Sequence, residues 1–244
     1  MEVHAHTHTP RKKWIHYLWD FLMLFLAVFC GFLAEYQLEH KIEKDREKVY
    51  MQNLLEDLKT DTAIYSKFKK NNVGIYALID SLTFNMKLPN RKNHINKLYL
   101  WSRKISIELN FLFPVERTYE QMKSSGHLRL ISKREVADSV SYYYNSLKGL
   151  YKYNDVGLEW TSDYVRSVGK IFDAGIHLKI LKERKEQDAE AIGLLTENPV
   201  LINEMLSSAQ YIYGALKLSE NAGTQRMQTA QNLINLIKKE YHIE

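Results

Sequence analysis

One cysteine, Cys30, occurs in 244 residues, so no intramolecular disulfide can form, and neither a paired-cysteine metal site nor a redox dithiol can exist. That scarcity leaves the compartment open, because many helical proteins outside the cytoplasm carry no disulfide. Only four prolines and ten glycines are present, too few turn formers for a chain of many short strands. No run with a clear period of two reaches strand length. The signatures of catalysis are missing too: no nucleophile elbow, phosphate-binding loop, dinucleotide fingerprint or HExxH zinc motif can be found. These absences point to an all-α protein that is not an enzyme. No catalytic, cofactor-binding or metal-binding residue is expected, and no cofactor.

What the chain does have is a long apolar run. WIHYLWDFLMLFLAVFCGFLAEY spans Trp14 to Tyr36, and its middle from Phe21 to Ala34 contains no charged or hydrogen-bonding side chain apart from Cys30. A hydrocarbon core about 30 Å thick needs roughly 20 helical residues to cross it. Trp14, Tyr17, Trp19 and Tyr36 suit the two headgroup belts. The run ends in Ala34-Glu35-Tyr36-Gln37 without a small-x-small cleavage site, which favours a retained span, with a cleaved signal peptide or a buried soluble helix as the alternatives. Asp20 lies close to Arg11, Lys12 and Lys13, an interfacial place for a carboxylate. The expected organisation is a short polar tail at 1–13, a transmembrane helix at 14–36 and an α-helical extramembrane domain at 37–244. The basic charge before the run favours an N-terminus in the cytoplasm and the larger domain outside, periplasmic in a bacterium.

Two charged features have ordinary explanations. His4, His6 and His8 alternate in the N-terminal tail and could share a divalent ion on extended backbone, but a polar tail without supporting ligands explains them better. The net charge of +5 is concentrated between Lys67 and Lys104, where nine basic residues face Asp80 alone. A solvated face accounts for this better than nucleic acid, because no nucleic-acid module accompanies it.

Beyond the span the helical pattern continues. Leu38, Ile42, Val49, Leu54, Leu55, Leu58, Tyr65 and Phe68 recur at threes, fours and sevens, and no glycine or proline occurs from Phe32 to Asn72. One stalk helix is expected to run to about Lys70, some 50 Å beyond the membrane at about 1.5 Å per residue. Asn71-Asn72 reads as a turn or kink. Further helices are expected at 73–86, 92–109 and 118–124, the last closed by Gly126 in left-handed geometry. Ser132 and Glu135 form a capping box for a long helix reaching about Phe172. Lys179 to Ala191 reads as a charged hairpin arm. Asn198-Pro199 opens a final helix with a possible break at Gly223. The whole reads as an antiparallel helical bundle.

Three clusters invite a chemical reading. Ser124-Ser125-Gly126 is better explained as a helix C-terminus than as a nucleophile. Tyr142, Tyr143, Tyr144, Tyr151, Tyr153 and Tyr164 fall at the spacing of a helical core, with an aromatic ligand pocket as the alternative. Glu116, Arg117, Glu120 and Arg129 could form a buried ion network.

The blocks FLMLFLAVFCGFLAEYQLEHKIEKDREKVYMQNLLEDLKTD and RTYEQMKSSGHLRLISKREVADSVSYYYNSL resemble an uncharacterised family of bacterial single-span membrane proteins. Such proteins pair a membrane helix with an LLEDLKTD helix and a later MKSSGHLRLI turn, and the resemblance covers residues 11 to 150. Many members carry an Asn-Glu-Trp-Asn run after the span, where this chain has Ala34-Glu35-Tyr36-Gln37. The resemblance implies membrane location and a helical fold, with no activity to carry over. The expected partners are the lipid bilayer and another envelope protein or a second copy of the chain, and no nucleic acid. The expected role is structural or protein-interacting. A ligand-sensing bundle is the alternative, and with some 13 residues across the membrane it would need a separate signalling partner.

Overall fold

The computed structural model describes residues 14–183 and 193–243. The tail histidines and most of the charged arm expected at 179–191 lie outside them. Among the described residues the protein is all-α, with no strand. The helices are α1 (Trp14–Met86), α2 (Ile95–Glu108), α3 (Arg117–Ser124), α4 (Arg134–Ile171), α5 (Ala174–Glu183) and α6 (Pro199–Tyr241), with single 3-10 turns at Arg91–His94 and His127–Leu130.

By internal contacts the chain divides into a unit ending at Val49 and a second beginning at Tyr50. From Trp14 to Arg46 every side chain of the first unit is exposed. This part of α1 contains a window long and apolar enough to cross a membrane, by length and composition, and none of that window is buried.

The second unit is built on three long helices. Residues 50–86 of α1, α4 and α6 place their apolar stripes together and form two hydrophobic clusters. One joins Met51, Leu54 and Leu58 of α1 to Val136, Val140 and Leu147 of α4 and to Leu233 and Ile237 of α6. The other joins Ile75, Ile79 and Leu82 of α1 to Leu150 and Val168 of α4, to α2, and to Met205 and Ile212 of α6. Residues 51–58 of α1 therefore meet early α4 and late α6, and residues 75–82 meet later α4 and early α6: α4 runs parallel to α1, and α6 antiparallel to both. Polar and aromatic contacts fix the α4/α6 register. Trp160 stacks on Tyr211 at 4.2 Å, Lys170 pairs with Glu204 at 2.9 Å, and Arg226 donates to the Ser146 carbonyl at 2.6 Å.

Several helix ends follow sequence chemistry. Asn198 caps α6 by accepting from the Val200 N–H at 2.9 Å, with Pro199 in the first turn. Gly126 has φ 70°, the left-handed geometry that closes the segment after α3. Three expectations need correction. Asn71-Asn72 makes no turn, because Asn72 falls on the buried stripe with Phe68, Ile75 and Ile79 and α1 continues to Met86. Gly223 makes no break in α6: it is buried, and an added Cβ there would lie 2.7 Å from Leu112 Cδ1 and 3.4 Å from Tyr65 Cδ1. That glycine makes room for a loop. The N-cap of α4 is Lys133 rather than Ser132, with the Lys133 carbonyl accepting from the Ala137 N–H at 3.0 Å.

A comparison of two helical glycines tests this packing. Gly214 has nothing within 4 Å of an added Cβ, so Gly214→Ala is expected to stabilise by about 0.5–1 kcal/mol through helix propensity. Gly223→Ala is expected to destabilise by about 1–3 kcal/mol through overpacking against Leu112. Equal effects of the two in denaturant unfolding would contradict the close approach at Gly223.

Candidate functional site

Between the two hydrophobic clusters lies a polar belt, and its residues come from the LLEDLKTD stretch. Asp57, Asp61 and Tyr65 are spaced four apart on α1, so they share the face that carries Leu54 and Leu58 inward. Both carboxylates are sealed, Asp57 at 1 % and Asp61 at 0 % exposure. A carboxylate out of water is costly unless hydrogen-bonded, and each of these is held by a backbone N–H of the segment that follows α2.

Asp57 accepts from the Thr118 N–H at 3.0 Å through one oxygen and from the Arg117 guanidinium at 2.6 Å through the other. Thr118 is the second residue of α3, and its N–H is one of the donors that a helix start leaves without an internal partner. The residue in the cap position, Glu116, makes no capping bond, so Asp57 supplies from another helix what a local cap would provide. The negative charge also meets the positive end of the α3 dipole. The Glu116 side chain is engaged elsewhere, accepting from the Tyr151 hydroxyl.

Asp61 accepts from the Val115 N–H at 2.6 Å and from the Tyr143 hydroxyl at 2.6 Å, and Tyr143 is in turn 3.1 Å from the Tyr65 hydroxyl. Burial pushes the Asp61 carboxyl up to about 6. The bonds from Tyr143 and Val115 oppose that rise, while repulsion from Asp57 and Glu116 adds to it. Burial likewise raises the phenols of Tyr65, Tyr143 and Tyr144 well above the ordinary tyrosine value, so all three stay protonated. Tyr144 stacks face to face on Tyr119 of α3 at 4.2 Å.

The loop thus fastened, residues 109–116, is held on its other side as well. Asn154 of α4 donates to the Leu112 carbonyl at 2.6 Å, Leu112 fits against Gly223, and the Phe111 ring lies over Gly157, 2.5 Å from where a Cβ would stand. The proline-stopped loop read from the sequence is therefore a packed element, with Leu112 and Pro114 buried.

The clusters picked out from sequence fare differently. Ser125 and Gly126 close α3, as a helix C-terminus should. Of the tyrosines, Tyr143, Tyr144 and Tyr164 are core, Tyr151 is half-buried at the belt, and Tyr142 and Tyr153 face outward. The expected ion network of Glu116, Arg117, Glu120 and Arg129 does not assemble. Arg117 pairs with Asp57, Glu120 pairs with Lys123 on the surface, and Glu116 bonds to Tyr151. The acids that hold the loop, Asp57 and Asp61, are not among the residues the sequence singles out: both keep the spacing of the apolar stripe, but nothing near them in the chain marks their distant partners.

A second buried polar pair lies under α5. His177 Nε2 is 3.1 Å from Ser102 Oγ, and its ring packs on Phe172 and edge-on to Tyr99. Burial, helped by Arg103, lowers the imidazole to about 4, so it is neutral at pH 7. Ser102 is fully buried and donates to the Tyr99 carbonyl at 3.0 Å, which gives a substrate no access to it. Among the described residues no group of His, Cys, Asp and Glu is disposed to hold a metal ion. The chemistry available at the belt is the gain and loss of one proton at Asp61.

No protein-family model, no curated protein and no solved structure matches this chain.

Asp61 and His177 act oppositely on stability. The folded state holds the Asp61 proton more tightly than the unfolded chain, so its contribution is complete below about pH 4 and is lost as pH rises toward about 6. His177 binds its proton less tightly when folded, so its contribution is present above about 6.5 and is lost as pH falls toward about 4. The two slopes offset each other in the native protein. In Asp61→Asn the amide can accept from the Val115 N–H and donate to the Tyr143 oxygen, whose own O–H then donates to the Tyr65 oxygen. The variant is therefore expected to gain on the order of 3 kcal/mol relative to wild type between pH 4 and 6.5, measured by urea unfolding across pH. A pH-independent difference would contradict the raised carboxyl. Asp57→Ala leaves the Thr118 N–H unmet and is expected to cost about 1–3 kcal/mol at pH 7, checked in the same way.

Proposed function

We propose that the protein is a single-pass membrane protein of the bacterial inner membrane. Its helical domain, from Tyr50 on, serves a structural or protein-interaction role in the cell envelope and carries out no catalytic step. The observation that supports this reading is the first part of α1. From Phe21 to Ala34 the side chains are apolar almost without exception, and none of the apolar window is covered by the rest of the chain. Soluble proteins rarely leave contiguous apolar surface of more than a few hundred Å² in water, and a lipid bilayer is the solvent in which such a helix is stable. Trp14, Tyr17, Trp19 and Tyr36 at its two ends suit the interfaces.

The interaction role draws on the second unit. Its buried acids Asp57 and Asp61, the core tyrosines and the loop are used to close a core, and the serine of the Ser102–His177 pair is fully buried. Within this reading the partners are the bilayer itself and another envelope protein or a second copy of the chain. The larger domain is assigned to the periplasmic side from the basic residues that precede the apolar run.

Membrane residence and orientation can be measured together. In cells carrying Cys30→Ala with Asn203→Cys, an exposed α6 position, the protein is expected to stay with the membrane pellet after alkaline carbonate extraction. Its new thiol is expected to react with a membrane-impermeant maleimide once the outer membrane is permeabilised. Release into the carbonate supernatant would contradict the anchor. Labelling only after the inner membrane is lysed would reverse the orientation.

A further inference from the structure

Where α2, α4 and α5 meet, two depressions adjoin and share Arg103 and Leu181. One, of about 370 Å³, is lined by Leu100, Ile107 and Ile180 together with Lys104. The other, of about 320 Å³, is lined by Val165, Gly169 and Leu178 and floored by His177. Each lies near the lower end of the range of about 300 to 1,000 Å³ found for small-molecule sites. The walls are apolar yet open to solvent: Ile107 is 51 % exposed, Leu178 51 % and Val165 44 %.

Set into this apolar face are two cations, Arg103 and Lys104, that no carboxylate among the described residues neutralises. Arg103 Nε is buried and has no hydrogen-bond partner, and no carboxylate among the described residues pairs with Arg103 or Lys104. Among the described residues Glu108 is the one acid lining the depressions, so with Arg103 and Lys104 these linings sum to a single positive charge. His177 adds none, being neutral at pH 7. A buried guanidinium donor left unpaired is costly, and its planar fork matches a carboxylate.

We propose that this face binds a single-chain carboxylate amphiphile, its head on Arg103 and Lys104 and its acyl chain along Ile107, Val165, Leu178 and Leu181. A monoanion balances the charge, and one chain suits a shallow apolar trough better than two. The site uses none of the belt residues and does not depend on the membrane anchor.

The test is calorimetric titration of sodium octanoate into the full-length protein in phosphatidylcholine nanodiscs, with empty nanodiscs as the baseline. The expected result is saturable one-to-one binding above the baseline, with octyltrimethylammonium and acetate giving none. Arg103→Gln is expected to weaken octanoate binding at least about tenfold, and Arg103→Lys to restore part of it. Gly169→Leu, at a position where an added Cβ meets nothing within 4 Å, should block the trough without disturbing the core. Thermal unfolding of each variant would confirm an intact fold. Octanoate heats no greater than those of empty nanodiscs would overturn the proposal, as would binding unchanged in both folded Arg103→Gln and Gly169→Leu, or equal binding of the cationic amphiphile.

Discussion

Two carboxylates shut away from water govern how this domain closes. Asp57 and Asp61 sit on α1 between two hydrophobic clusters, and each meets its need for donors with a backbone N–H of the stretch running from the 109–116 loop into α3. Non-directional apolar packing would let that stretch settle in several places. Hydrogen bonds of 2.6 and 3.0 Å to two adjacent acids leave it one. The benefit is specificity more than net stability, since a buried ionic group typically gives back in desolvation much of what it gains in contact.

The belt also explains how three long helices stay in register. The Tyr143 hydroxyl ties α4 to α1 through Asp61 and Tyr65, Arg226 ties α6 to α4 through the Ser146 carbonyl, and Leu112 fills the space that Gly223 leaves on α6. Each contact crosses a different pair of elements near the same level of the bundle. Above and below it the helices present mainly apolar stripes, with Trp160 on Tyr211 and Lys170 on Glu204 adding to the α4/α6 register. Burial is what raises the Asp61 carboxyl at the belt, the nearby Asp57 and Glu116 add to the rise, and the bonds from Tyr143 and Val115 hold it in check.

Much of this architecture was legible in the sequence because it rests on local signals. The apolar run after Trp14, the periodicity of α1, the extent of α4, Asn198-Pro199 at the start of α6 and Gly126 after α3 all act within a few residues of themselves. Two of the failures share one cause. Asn72 and Gly223 have turn-like propensities, but each lies on a face buried by another helix, and packing overrides propensity there. Asp57 and Asp61 looked like ordinary charges of an exposed stalk. Their role depends on Val115 and Thr118, more than fifty residues away, and no local pattern reports a partner at that distance. The α2/α4/α5 face was illegible for the same reason, since Arg103, Val165 and Leu181 converge only in three dimensions.

The central claim is that Asp57 and Asp61 bind the 109–118 stretch to α1 as one cooperative unit. Native-state hydrogen exchange of the full-length protein in nanodiscs tests it most directly, read at the Val115 and Thr118 amides. The account expects both to be protected as strongly as amides of α1 near Leu58, and to open together with them as denaturant is added. Exchange of both at loop-like rates while α1 stays protected would contradict it.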